Sequence, residues 1–251
     1  MPGLDGFETA RRMKEIEGRG HVPIIFLTGV AERSEVARGY SAGAVDYLLK
    51  PYEPEILRSK VDVFVDLYRL RRQAEVLTHR ALHDPLTGLP NRTLFLDRTQ
   101  HALHLAGRNG LWPAVLYLDL DGFKPVNDSY GHQAGDHLLR VFAQRLNESV
   151  RAADTAARLG GDEFAVLLHG PIDREGAETV IARIQEQLTL PIDVGGGRTA
   201  YVGASIGGAF ASRETDIEML IRHADSAMYT AKRSGRGRFV FHDPATDPQP
   251  A

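Results

Sequence analysis

A mixed α/β (α+β) fold is predicted by three stretches of the chain. Residues 113–121 are almost continuously apolar and end in acids, the pattern of a strand buried on both faces. Residues 155–159 and 165–168 are two further β-runs, separated by Gly160-Gly161, which supply the positive φ angles of a tight hairpin turn. Residues 54–81 carry no Gly or Pro in their interior and read as one long helix.

Each element has its own reason. In 54–81, Ile56, Val63, Leu70 and Leu77 recur every seven positions. Lys60, Leu67, Ala74 and Ala81 fill the alternate seam positions, and of these only Lys60 is polar. A strict seven-residue period predicts a parallel two-stranded coiled coil, and so a homodimer; a helix packed only on its own domain is the alternative. In 113–121, Asp119 and Asp121 lie two apart and share a face of a regular strand. The end of an inner strand is where α/β-type sheets place their chemistry. The hairpin carries Asp162 and Glu163 directly after its glycines. Residues 178–188 predict a helix. The glycines 195–197, between 191–194 and 201–202, read as a hairpin tip and not as a phosphate loop.

Acidic side chains at an exposed tip add nothing to folding. Asp162 and Glu163 therefore point to a hard cation with a phosphate behind it, the alternative being a plain acidic surface turn. Asp119 and Asp121, at the end of a buried strand, weigh toward the cation. Downstream follow Lys124, Asn127, Asp128, Gly131, His132 and Asp136, residue types that bind bases and phosphates.

From about His83 to His242 the motifs resemble, in order, those of the GGDEF family of diguanylate cyclases, which join two GTP molecules into cyclic di-GMP and release pyrophosphate. The motifs are Asp84-Pro85-Leu86-Thr87-Gly88-Leu89-Pro90-Asn91-Arg92 and Asp119-Leu120-Asp121-Gly122-Phe123-Lys124. Next come Asn127-Asp128, Gly131-His132, Gly135-Asp136 and the signature Gly160-Gly161-Asp162-Glu163-Phe164. Ala204-Ser205-Ile206-Gly207 and Ala224-Asp225 through Lys232 to Arg236 complete the set. The resemblance implies a domain over 83–245 with a central, mostly antiparallel sheet flanked by helices, nucleotidyl-cyclase-like. It implies Asp119, the Leu120 carbonyl and Asp162 as ligands of Mg2+, with Mn2+ as the other candidate metal. Glu163 is implied as acid/base or second-metal group, and Asn127 and Asp136 as partners of the guanine edge. The backbone of Gly122 and Phe123, with Lys232 and Arg236, is implied to hold the β- and γ-phosphates, and Lys124 to stabilise the transferred phosphoryl group. Arg151 and Asp154 match the family's product-inhibition pair, Arg-x-x-Asp, with Arg183 as the second arginine, so cyclic di-GMP is implied as product and feedback ligand. Without the resemblance, Lys232 and Arg236 also read as solvated charges, Asn127 as a turn former and Arg151 as a helix C-terminal cation.

Small departures from the family pattern leave those residues in place. Gly122 stands where many members carry a bulky residue, Pro125 follows Lys124, and Gly237 stands where asparagine is usual. A non-catalytic module that binds GTP or cyclic di-GMP is the rival reading. Loss of a signature acid would favour it, and the acids are all present.

The first residues resemble a second family. Residues 1–8 resemble the loop after the phosphorylated aspartate of a response-regulator receiver domain. Residues 23–28 resemble its fourth strand with the switch threonine Thr28, and 44–51 its fifth strand with the phosphate-binding Lys50. A partial, doubly wound receiver remnant is expected over 1–53, followed by the linker helix over 54–82. The matching aspartate is expected upstream of Met1, and the incomplete sheet is expected to leave an open edge and unburied apolar faces. Residues 246–251 are expected to form a disordered tail.

Composition narrows the remainder. The absence of cysteine excludes disulfides and thiolate zinc sites. A net charge of −3 argues against a nucleic-acid partner. The longest apolar stretch, 22–30, is too short to span a bilayer, and the first residues are no signal peptide, so a cytoplasmic protein is expected. The helical spacings His79/His83 and His101/His104 read as surface residues and not as a metal site.

Overall fold

The computed structural model describes residues 5–16, 22–29, 33–195 and 197–243. The first four residues of the expected receiver loop 1–8, the middle glycine of 195–197 and the tail 246–251 lie outside these. The chain divides into two compact units, Met1–Leu77 and Thr78–Ala251.

The first unit runs α1 (Gly6–Glu15), β1 (Ile25–Thr28), α2 (Arg33–Ser41), β2 (Asp46–Leu49) and most of α3 (Pro54–Leu82). Asp5 caps α1 by accepting the Glu8 N–H at 2.7 Å, satisfying one donor left over at the helix start. β1 and β2 pair in parallel, Ile25 opposite Asp46, with α2 between them in sequence, as a doubly wound remnant requires. Leu27 and Leu49 stay 39% and 41% exposed, the open apolar faces expected of a two-stranded sheet.

Helix α3 has two apolar faces. Val61, Phe64, Val65 and Tyr68 line, with Val22, Pro23 and Ile25, a cavity of about 420 Å3. The heptad residues face elsewhere: Ile56 is 49% and Leu77 64% exposed, and α3 buries no residue fully. Lys60, the polar seam position, is engaged within its own unit, 2.6 Å from Asp46. That hydrogen bond holds the Asp46 carboxyl below its usual range.

The second unit follows with α4 (Arg92–Asn109), β3 (Ala114–Asp121), α5 (Phe123–Tyr130), α6 (His132–Ser149), β4 (Thr155–Gly160) and β5 (Glu163–Leu168). It continues with α7 (Arg174–Thr189), β6 (Ile192–Gly195), β7 (Arg198–Ala200), β8 (Gly203–Phe210), α8 (Ile217–Arg233) and β9 (Phe239–Phe241). Its sheet has the order β4-β5-β3-β8-β9 and is antiparallel except where β9 joins β8. Central β3 is buried on both faces. Leu116, Leu118 and Leu120 join the core with α6 and α7, while Val115 and Tyr117 join the core with α4 and α8. This double burial is why its sequence reads as an unbroken apolar run. Phe95, Phe142 and Phe164 are at most 1% exposed. Each such burial contributes roughly 1.5–3 kcal/mol. At Gly207 a Cβ would collide with the Ala224 carbonyl and the Met228 N–H, so α8 lies directly on β8.

Several boundaries differ from the sequence reading. In the first unit β1 covers Ile25–Thr28 of the expected 23–28, β2 covers Asp46–Leu49 of the expected 44–51, and α1 begins at Gly6 inside the expected loop 1–8. The signature turn is Gly161-Asp162, because Gly160 belongs to the irregular end of β4, where the register shifts after Arg158. The helix read at 178–188 begins at Arg174, where Asp173 caps it through the Gly176 N–H at 2.8 Å. The glycine hairpin returns as Arg198–Ala200, ahead of 201–202, because Gly195 (φ 91°) and Gly197 (φ 71°) turn the chain at once.

Candidate active site

The acids meet where β3 ends. Asp119 pairs in register with Glu163 across β3 and β5, and the Leu120 N–H donates to the Asp162 carbonyl at 3.2 Å. Asp119, Leu120, Asp162 and Glu163 are thereby gathered at one point. Asp119 is only 7% exposed, Asp162 is half-buried and Glu163 is exposed. Lys232, on the last turn of α8, reaches Asp119 with Nζ to Oδ2 at 2.6 Å. Burial pushes the Asp119 carboxyl above its usual range; Lys232 opposes this, and the charges of Asp162 and Asp121 reinforce it. A buried carboxylate among like charges is a group that gains by taking a cation. Among the described residues no cluster of three or more His, Cys, Asp or Glu forms a complete metal cage. Magnesium needs none, since it keeps waters and shares its oxygen ligands with phosphates.

The chain leaves β3 through Gly122, whose φ of 86° turns it directly into α5. Gly122, Phe123 and Lys124 thus form the N-terminal turn of a helix beside the acids, where free N–H groups and the helix dipole favour an anion. One turn on, Asn127 has its Oδ1 buried with no partner among the described residues. Gly135 of α6 lies against that amide, and a Cβ there would overlap Asn127 Oδ1. Asp136 follows at once, half-buried on α6. The two residues implied for guanine therefore come together where α5 meets α6. Arg236 lies near the acids with Nε 3.8 Å from Asp121, its side chain 73% exposed.

The other implied residues lie elsewhere. Arg151 and Asp154 precede β4, at the end of the β4–β5 hairpin away from the signature. There Asp154 accepts the N–H groups of Arg151 at 3.1 Å and of His169 at 3.0 Å. Arg183 is exposed on α7, and among the described residues no hydrogen bond or ion pair ties it to Arg151 or Asp154.

Sequence reasoning missed a link through Arg158. Its guanidinium bonds both carboxylate oxygens of Asp84, at 3.0 and 3.1 Å, and also donates to the Gly161 carbonyl at 3.0 and 2.7 Å. Asn91 donates to the Ala81 carbonyl at 2.7 Å and caps α4 through the Leu94 N–H. The end of α3, the motif at Asp84 and the signature turn are thus tied by hydrogen bonds. Local sequence gives no signal for a pair 74 residues apart, although Asp84 opens one recognised motif and Arg158 lies just ahead of another.

A mostly antiparallel sheet between two helix layers, with acids and cations converging at the end of its central strand, defines the class of cyclase-like α/β domains. The diguanylate cyclase, GGDEF domain family model matches residues 81–238, and the response regulator receiver domain model matches residues 1–62. The chain belongs to the GGDEF diguanylate cyclase family, with a receiver-type segment ahead of that domain. It is 37% identical to the diguanylate cyclase TpbB of Pseudomonas aeruginosa over 230 residues, 91% of this chain and 48% of that protein. It is 31% identical to the response regulator PleD of Caulobacter vibrioides over 251 aligned residues, 94% of this chain and 54% of that protein. The coiled coil and GGDEF domain of DgcB from Caulobacter crescentus, in complex with c-di-GMP, superposes with a TM-score of 0.69 at 27% identity, covering 74% of this chain and 98% of that one. The chain spans between about a fifth and about half of the length of the curated relatives it matches. Among the described residues no helix is long and apolar enough to cross a membrane.

Proposed function

We propose that the chain is a diguanylate cyclase that condenses two GTP molecules into cyclic di-GMP and releases pyrophosphate. The observation that carries this reading is the meeting of Asp119, Asp162 and Glu163 with Lys232 beside the N-terminus of α5. The donor set fits a magnesium ion: Lys232 already sets a cation on Asp119. When bound by Asp119, Asp162 and the Leu120 carbonyl, with Glu163 beside them, the metal supplies charge stabilisation at the transferred phosphoryl group.

The rest is the work of the chain's own groups. The N–H groups of Gly122 and Phe123, with Lys232 and Arg236, hold the β- and γ-phosphates. Asn127 and Asp136 bind the guanine edge, Asp136 accepting from N1–H and the 2-amino group, which selects against adenine. Glu163 takes the proton from the ribose 3′-hydroxyl of one GTP. That oxygen bonds to the α-phosphorus of the other GTP as the bond to the β-phosphate oxygen breaks. Lys124 balances charge on the phosphoryl oxygens.

Cyclic di-GMP has two equivalent phosphodiester bonds, and one domain holds one GTP, so two domains face each other about a two-fold axis. The open seam of α3 supports a homodimer that keeps the second domain at millimolar effective concentration. Arg151, Asp154 and Arg183 form the feedback site for cyclic di-GMP; a guanidinium fits a phosphate bidentately and stacks on a purine. The domains assigned are the receiver segment at 1–53, the linker helix at 54–82 and the cyclase at 83–245. Incubation of the purified protein with GTP and Mg2+ should yield cyclic di-GMP and pyrophosphate; recovery of unchanged GTP would overturn the reading.

A further inference from the structure

Asp121 sits two residues beyond Asp119 on the same face of β3, yet its surroundings differ. The Ser205 hydroxyl lies 3.0 Å from each of its carboxylate oxygens, and the Gly237 N–H donates to Oδ2 at 2.9 Å. Its side chain is 10% exposed, and these two protein donors reach it, with Arg236 Nε 3.8 Å from Oδ1. The backbone crowds in around it. A Cβ on Gly203, its partner in β8, would stand 3.6 Å from Oδ2 and 3.8 Å from the Gly237 Cα.

Gly237 closes an unusual turn. Gly235, Arg236 and Gly237 have φ angles of 122°, 56° and 61°, and Arg236 is the one non-glycine residue with positive φ among the described residues. An arginine in that region is strained and persists only where its surroundings fix it. The contacts that hold it include the Gly237 N–H on Asp121, the Gly235 N–H on the Lys232 carbonyl at 3.5 Å, Arg236 Nε 3.8 Å from Asp121, and a 3.5 Å bond from Gln185 Nε2 to the Gly237 carbonyl.

We propose that Asp121 is not a metal ligand but the positioning residue of the phosphate loop, holding the left-handed turn at 235–237 that presents Arg236 to the triphosphate. The inference rests on the proposed function for its ligand, and on the geometry above for the anchor. Guanosine reaches only the base and ribose contacts. A non-hydrolysable GTP analogue adds the β- and γ-phosphates, and Mn2+ alone reports the acids.

Three measurements on Asp121→Ala, Asp121→Asn and Ser205→Ala test it. In nucleotide-free protein, hydrogen exchange at the Gly237 amide should be slow in the wild type and fast in Asp121→Ala, while the Ile206 amide stays protected. By calorimetry, analogue affinity should fall about tenfold in Asp121→Ala, the loss of one charge-assisted anchor, with guanosine affinity unchanged and Mn2+ affinity falling by less, as one lost neighbouring charge requires. Asp121→Asn keeps an oxygen for the Gly237 N–H and should recover most of the binding, and Ser205→Ala should fall between the two. Equal losses for analogue and guanosine, a loss of Mn2+ affinity as large as that for the analogue, or a Gly237 amide still protected in Asp121→Ala would each overturn the inference. A wild type that binds no triphosphate overturns the reading beneath it, whereas wild-type binding matched by Asp121→Ala overturns the inference alone.

Discussion

Asp162 and Glu163 are neighbours in different settings: Asp162 is half-buried beside Asp119, and Glu163 is exposed at the start of β5. Asp162→Ala should remove the proposed metal carboxylate and lower cyclic di-GMP formation by at least the roughly 10- to 100-fold that loss of an outer-shell partner costs. Initial rates at saturating GTP measure this, and near-wild-type turnover would show the assignment to be wrong. Gly135 offers a finer test, because a methyl group there overlaps the Asn127 amide. Gly135→Ala should raise KM for GTP about tenfold with a smaller change in kcat, as displaced base contacts weaken binding. Guanosine affinity should fall in parallel, since the base reaches Asn127 without the phosphates. Guanosine affinity equal to the wild type's would overturn this account.

At the scale of elements, Arg158 binds the start of the domain to the signature turn. The pair with Asp84 is mostly buried, with side chains 10% and 17% exposed. Arg158→Ala should cost about 2 kcal/mol, somewhat below the figure for a fully buried pair, because Asp84 keeps some water. Burial raises the Asp84 carboxyl, but hydrogen bonds from Thr87 and Arg158 outweigh it and hold the group below its usual value of 3.8. A depressed carboxyl stabilises above its unfolded value and loses that contribution as pH falls through the folded one. The stability gap between wild type and Arg158→Ala, measured by chemical denaturation, should therefore be full at pH 7 and close below 3.8. For α3, Leu67→Asp with Leu70→Asp should shift sedimentation toward monomer and lower activity per chain at dilute protein, since both residues lie on the exposed seam. The sequence shows β3 and α3 plainly, because burial on two faces leaves an unbroken apolar run and a helical seam leaves a period. It hides the Arg158 clamp and the anchor from Asp121 to Gly237, which join residues 74 and 116 positions apart. It also hides the role of Gly135, which exists only because another helix brings Asn127 against it.

Across the whole molecule, the signature turn and the Arg151–Asp154 pair occupy opposite ends of one hairpin. Arg151→Ala should weaken cyclic di-GMP binding and relieve inhibition while initial velocity holds; calorimetry giving equal product affinity for wild type and variant would count against a feedback role. The contact at Gly207 has a further consequence. With the α8 backbone seated on β8, the helix can neither slide nor spin, and Lys232 follows Met228 by four residues, about one turn. Insertion of one residue between them would swing Lys232 through about 100° around the helix and away from Asp119. Side-chain exchanges at the exposed Tyr229 and Thr230 are therefore open to drift, whereas insertions and deletions in the stretch are closed to it. The spacing from Gly207's contact to the lysine acts as a ruler, read in helical phase.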